Sequence, residues 1–280
     1  PQTPGNFNLS FNATQSAVFY SLKALLDPGI PNNSGIFDAI KITVPEGSFL
    51  NCVEPASVAL RANTCQRVVD VVFGALAKVL PEHVTGAANG ANTSAVFSGI
   101  NPVNGERYVY LETLGGGMGG RHNKDGKDGV QVNITNTSNL PVEAIEMEYP
   151  LRVEEYSLVE DSGGAGKNRG GMGIRRIIRP INHTCEFSGV GERFKHAPWG
   201  IFGGKPGLPG CFYHSKGKFS KIKLPSKVTG INISPSSCII METPGAGGYG
   251  SPLKRTKKNL TKDKKSGKFS KKFLRKFYKF

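Results

Sequence analysis

The residues best placed to do chemistry lie in "ETLGGGMGGRHNKDGKDG", Glu112 to Gly129, where Gly115, Gly117 and Gly120 fall at the spacing G-x-G-x-x-G and Arg121 and His122 follow directly. A dinucleotide loop uses that spacing to bring backbone amides against a pyrophosphate, and it needs a strand before it and a helix after it. "RYVYLETL" supplies the strand. Beyond the turn signals Asp125-Gly126 and Asp128-Gly129, however, "VQVNIT" alternates as a second strand. Gly115, Gly116, Gly117, Gly119 and Gly120 are therefore read as a strand-to-strand connection whose backbone passes close to another segment. Arg121 and His122 then present a guanidinium and an imidazole beside exposed amides, a combination that holds a carboxylate or phosphate. The competing reading is a solvated hairpin turn.

Two other stretches share this character. In "DSGGAGKNRGG", Lys167 and Arg169 stand among glycines, either as anion ligands or in a tight surface connection. In "GERFKHAPWG", Glu192, Arg193 and His196 precede the only tryptophan, Trp199, which serves as a ligand wall or as a half-buried anchor between layers. Arg121, His122, Glu192 and Arg193 are the candidate substrate-binding residues. No catalytic residue is legible: zinc spacings, a serine nucleophile elbow, a Walker loop and paired carboxylates are all missing, and the scattered histidines suggest no metal site.

The elements that position these residues follow from periodicity. "NATQSAVFYSLKALLDPG" reads as an amphipathic helix capped by Thr14, with Val18, Leu22, Leu25 and Leu26 on one side. "FDAIKITVPEGSFL" alternates as a strand and turns at Pro45-Glu46-Gly47. "NTCQRVVDVVFGALAKVLPEH" reads as a helix buried on most sides, with Asn63 and Gln66 as a capping box. From Ala95 onward strands dominate: "SAVFSGI", "RYVYLETL", "GVQVNITN", then a short helix at "PVEAIEME", a strand at "PLRVEEYSLV", and several short strands between Cys185 and Glu242. The fold class is α+β: β-rich and mixed, with glycine-rich strand connections, two main helices near the N-terminus and a small barrel- or sandwich-like C-terminal part. The expected domains are an α+β layer domain over 1–150, a β-rich domain over 151–252, and a basic tail over 253–280 whose Phe269, Phe273, Leu274, Phe277 and Tyr278 suggest a short helix.

Composition narrows the function classes. Glycine and proline, 36 and 18 of 280 residues, exceed the ordinary background and imply many fixed turns. Net charge is +15, but Lys254–Phe280 holds 13 basic residues against one aspartate, leaving the body near +3. A nearly neutral globule with a basic tail makes nucleic acid an unfavoured partner. The longest apolar run, Val68 to Leu80, is interrupted by Asp70 and Lys78 and falls short of the ~20 residues of a membrane span. Five widely spaced cysteines without a C-x-x-C pair suit reduced thiols in the cytoplasm. Pro1 in place of Met, with no leader after it, reads as a processed chain or a fragment.

In this order, "TQSAVFYSLKALLDPGIPNNSGIF", "VPEGSFLN", "TCQRVVDVVFGAL", "YVYLETLGGGMGGR", "NTSNLPVEAIEMEYPLRVEEYSLVEDSGGAGKNRGG", "APWGIFGGKPG" and "ETPGAGGYGSP" resemble the hydantoinase B / 5-oxoprolinase family, from Thr14 to Pro252. Only the latter half of that family's subunit is matched; its first half, with an Asn/Asp/His motif resembling a metal site, has no counterpart here. The resemblance implies part of an ATP-dependent enzyme that opens a cyclic amide such as a hydantoin or 5-oxoproline. Related assemblies carboxylate ketones. It also implies a hydantoinase-A-like partner that binds ATP and phosphorylates the amide or enol oxygen, with ATP and a divalent metal held by the rest of the complex and no cofactor by this chain. A non-catalytic scaffold is the reading from another class.

Overall fold

The computed structural model describes residues 1–217 and 220–279, so Phe280 of the basic tail lies outside the described residues. The chain forms two compact units, Pro1–Thr85 and Gly86–Phe280, and the boundary expected at 150 falls inside the second.

In the first unit, α1 (Phe11–Leu26) packs against α3 (Arg61–Leu76), with the short α2 (Ser34–Asp38) between them in sequence. Both helices start earlier than their sequence signals suggest. Thr14 is no cap: it is buried, and its hydroxyl donates to Leu50 O at 2.6 Å. Asn63 and Gln66 are likewise buried inside the first turns of α3. That helix buries one face, with Cys65, Val68, Val69 and Phe73, while Val71 is exposed. The strand expected from Phe37 onward is absent, because the unit offers no described strand to pair with it. Phe37 instead lies in the last turn of α2 and stacks on Phe19 at 4.5 Å.

The second unit is two antiparallel sheets. One runs β2 (Arg107–Leu114), β1 (Thr93–Ile100), β5 (Cys185–Val190), β8 (Lys227–Ile233). The other runs β3 (Leu151–Leu158), β4 (Ile174–Pro180), β9 (Ser237–Glu242), β6 (Cys211–Lys216), β7 (Ser220–Leu224). Neither closes into a barrel. The alternation that marked the strands puts Phe97, Tyr110, Phe187, Ile178, Phe212, Ile239 and Met241 into one shared core, with Ile145 of α4 (Val142–Glu148) packed on it. Each such side chain contributes about 1.5–3 kcal/mol on burial. "VQVNIT" is not a strand: only Val130 pairs, with Gly116, and Asn133 at φ 53° turns the chain away.

Register places Leu158, Ile174, Glu242 and Cys211 at one end of the second sheet. The glycine-rich connections leave from there and from the Leu114/Val190 end of the first sheet. They run side by side outside any ladder. Gly117 N donates to Pro244 O, Gly120 N to Gly247 O, Gly247 N to Ala87 O, and Gly171 N to Met118 O, all within 3.1 Å. A Cβ on Gly117 would sit 2.2 Å from Gly171 O, so only glycine lets these backbones meet. The tail completes this layer as α5 (Lys257–Lys265) and α6 (Lys271–Tyr278), whose Leu260, Leu274 and Tyr278 join Phe269 against Ala165 and Met172.

Candidate functional site

Past the glycine layer the chain turns sharply at Arg121. Its amide donates to Lys124 O at 2.9 Å, and its Nη2 donates to Asp125 O at 2.9 Å. Buried Asn168 fixes the turn from the other side, its Nδ2 donating to Arg121 O and to His122 O, each at 2.8 Å. The edge of the His122 ring meets Tyr249 at 5.9 Å and 83°, and Tyr249 meets Phe202 at 5.2 Å. Tyr249 is itself held to Asn168 by a reciprocal backbone pair. The result is a half-exposed rim: a guanidinium whose Nε is buried and lacks a hydrogen-bond partner, an imidazole, and Phe202, 44% exposed at its edge. The exposed Lys167 immediately precedes Asn168 on the same connection.

Glu192 and Arg193 do not join this rim in any described bond. They begin the connection after β5, where Glu192 pairs with Lys227 at 3.2 Å and Arg193, at φ 58°, accepts from Gly210 N. Phe194 beside them packs on Phe212. Trp199 is half-buried, and its carbonyl accepts from Ala87 N, so its backbone anchors the glycine layer.

The glycine amides are not available as an anion nest. Those of Gly116, Gly117 and Gly120 donate to Val130, Pro244 and Gly247 carbonyls. No helix leaves the loop, since the next one begins at Val142. This loop therefore does not fit a nucleotide. Nor, among the described residues, do three or more His, Cys, Asp or Glu side chains gather as metal ligands would.

Beneath the rim lies a buried ionic layer. Arg169, read from sequence as a possible anion ligand, is committed to Asp128, with Nη1 at 2.7 Å and Nη2 at 3.2 Å. Arg255 grips Asp125 and Asp263, and Lys268 reaches Asp128 at 2.6 Å. Burial alone would raise the pKa of Asp125 and of Asp128. The hydrogen bonds and charge of Arg255 on the first, and of Arg169 on the second, outweigh it and hold both below the usual carboxylate range. A second ionic cluster crosses the sandwich core. Glu112 accepts from Arg176, Tyr110 Oη, Asn139 Nδ2 and Leu140 N, and Arg176 lies over the Tyr156 ring at 4.0 Å.

The Hydantoinase B/oxoprolinase family profile matches residues 1–252. The chain belongs to the hydantoinase B/oxoprolinase family. Among relatives of known sequence, an uncharacterized protein of Methanocaldococcus jannaschii is 42% identical over 271 residues, covering 96% of this chain and 46% of its own length. A putative B-type component of a D-/L-hydantoinase from a Pseudomonas species is 35% identical over 255 residues, covering 88% of this chain and 42% of its own length. The solved ATP-dependent caprolactamase of Pseudomonas jessenii superposes with TM-score 0.86 at 25% identity, over 98% of this chain and 49% of that one. The chain thus spans less than half the length of these hydantoinase B-type relatives. No helix among the described residues is long and apolar enough to cross a membrane.

Tyr249 and Asn168 were not singled out from sequence, although both stand inside glycine motifs that mark the family, "ETPGAGGYGSP" and "GAGKNRGG". The Glu112–Arg176 pair had a readable signal. Each is a charge on the inward parity of an alternating strand.

Proposed function

We propose that this chain is part of a B-type subunit of an ATP-dependent enzyme that hydrolyses a cyclic amide. It acts with a hydantoinase-A-like partner, and on a phosphorylated form of the ring that the partner makes, in the cytoplasm. The observation that carries this reading is the family match over 252 residues together with relatives named for hydantoin and caprolactam, both cyclic amides. Activation of the amide, whose uncatalysed hydrolysis is very slow, is assigned to the rest of the assembly, since the amides of Gly116, Gly117 and Gly120 are already engaged and no three His, Cys, Asp or Glu gather among the described residues.

What this chain contributes is one wall of the site. The half-exposed Arg121 guanidinium, its Nη2 held by Asp125 O, is the donor to the carboxylate or ring oxygen of the substrate. His122, set against Tyr249, is the rim side chain assigned to pass a proton to the departing ring nitrogen. Phe202 and Lys167 flank them, one as an apolar edge and one as a second cation.

Reconstitution tests the proposal. The chain is combined with the remainder of its subunit and a hydantoinase-A-like protein, then assayed with ATP, a divalent metal and hydantoin, 5-oxoproline or caprolactam. ATP-dependent ring opening is expected, and Arg121→Gln should lower kcat/KM by about 10- to 100-fold, the loss of one charge-assisted contact. A complex that carboxylates ketones while leaving every cyclic amide intact, or one inert to all, would overturn the assignment.

A further inference from the structure

The Lys-rich segment after Pro252 has the composition of a solvated tail, and the family profile ends at residue 252. Its first described side chain of consequence contradicts that impression. The Arg255 guanidinium is 1% exposed and spans two carboxylates. Nε and Nη2 donate to Asp263 at 2.7 and 3.0 Å, Nη1 and Nη2 donate to Asp125 at 2.8 and 2.9 Å, and Nη1 also reaches Lys167 O at 3.1 Å. Asp263 belongs to α5 within the segment, while Asp125 and Lys167 belong to the two connections that form the rim. Asp125 is also the residue whose carbonyl holds the Arg121 guanidinium.

The remaining stitches lie on the same loops. Lys268 pairs with Asp128, Ser270 N and Oγ donate to Asp161, and Gly166 N donates to Tyr278 Oη at 3.2 Å. The segment carries thirteen cations. Lys254, Lys257, Lys258, Lys262, Lys264 and Lys265 are exposed, whereas Arg255 is buried. A guanidinium is costly to bury unless it is fully bonded, and here both of its edges are used.

We propose that the C-terminal segment is the latch that holds the Arg121–His122 turn in place, and that Arg255 is the positioning residue through which its docking reaches that turn. Arg255 touches neither rim side chain. It fixes Asp125, and Asp125 and Asn168 fix the turn between them. When the segment docks, Asp263 orients the guanidinium and Asp125 receives it; when it is released, Asp125 loses both Arg255 hydrogen bonds and keeps only the Arg169 amide at 2.9 Å and the Arg169 Nε at 4.0 Å, which weakens one of the turn's two supports. The consequence for turnover rests on the cyclic-amide reading above, but the mechanical coupling does not.

Amide hydrogen exchange on the full chain tests the coupling. With Arg255→Gln, exchange in 121–128 should rise by about 10- to 100-fold, the loss of a charge-assisted pair, while exchange in β1 and β5 stays within about twofold. Asp263→Asn, a change inside the segment, should loosen 121–128 in the parent and add little in the Arg255→Gln background. Arg255→Lys should fall between. If Arg255→Gln does not fold, Asp263→Asn and Lys268→Gln give the same readout. Exchange at 121–128 that stays at the parent value while 254–279 opens would overturn the latch, as would equal loosening of β1 and β5. Loosened exchange at 121–128 with unchanged turnover in the reconstituted complex would keep the latch and refute the rim as the substrate wall.

Discussion

Replacing Gly117 by alanine adds one carbon atom at the most crowded crossing of the glycine layer. That carbon would lie 2.2 Å from Gly171 O and 2.7 Å from both Ala246 N and Gly245 C, all of them backbone atoms that no rotamer change can clear. The neighbours are also fixed. Gly117 N donates to Pro244 O at 3.1 Å, Asn89 N donates to Gly117 O at 2.8 Å, and Ala246 N donates to Gly171 O at 3.0 Å. Overpacking of this kind costs about 1–3 kcal/mol, and each hydrogen bond broken to relieve it adds roughly 0.5–1.5 kcal/mol. A total near 3 kcal/mol lowers the melting temperature of a unit of this size by about 6–12 °C. Gly105→Ala is the control. Its φ of +74° carries the strain of the left-handed region, but nothing lies within 4 Å, so its cost stays near 1 kcal/mol. Both variants are melted by circular dichroism under identical conditions. If Gly117→Ala melts with the parent, or no lower than Gly105→Ala, the backbones are not locked together as described.

Glu112→Gln should cost about 3–5 kcal/mol in urea unfolding by leaving Arg176 charged and buried, whereas Glu112→Met with Arg176→Met should recover most of it; a single variant within 1 kcal/mol of the parent would refute the core ion pair. Because Asp125 and Asp128 titrate below their unfolded values, their contribution is full above about pH 4 and is lost as pH falls through the folded values. The melting temperature of the parent should therefore hold from pH 7 to 5 and then drop more steeply than that of Asp125→Asn/Asp128→Asn, and parallel curves would contradict this. Burial pushes the Cys185 and Cys211 thiols up to about 11, so in the folded chain at pH 8 both should react with a disulfide reagent far more slowly than the partly exposed Cys52, a difference abolished by denaturant.

The sequence by itself determined the elements whose signal is local. Period-two alternation located β1, β2 and β3, helical spacing located α1 and α3, and the density of glycine announced a backbone-to-backbone approach before any partner for Gly117 was known. It also carried the family, since a series of glycine motifs in fixed order is specific even where no catalytic residue is legible. Alternation failed at "FDAIKITVPEGSFL" and "VQVNIT" because a strand is completed by its neighbour, and neither segment has a full partner to supply the ladder. Only the tertiary structure separated Arg121 from Arg169, two arginines in similar glycine settings. Arg121 emerges half-exposed at the rim, whereas Arg169 is buried and turned inward onto Asp128. Composition likewise cannot tell Arg255 from the lysines around it. What decided its role is that Asp125 and Asp263, 138 residues apart in the chain, converge on one buried guanidinium. Convergence of that kind is a property of how the loops pack, because the energy of a buried charge depends on which partners reach it and not on its place in the sequence.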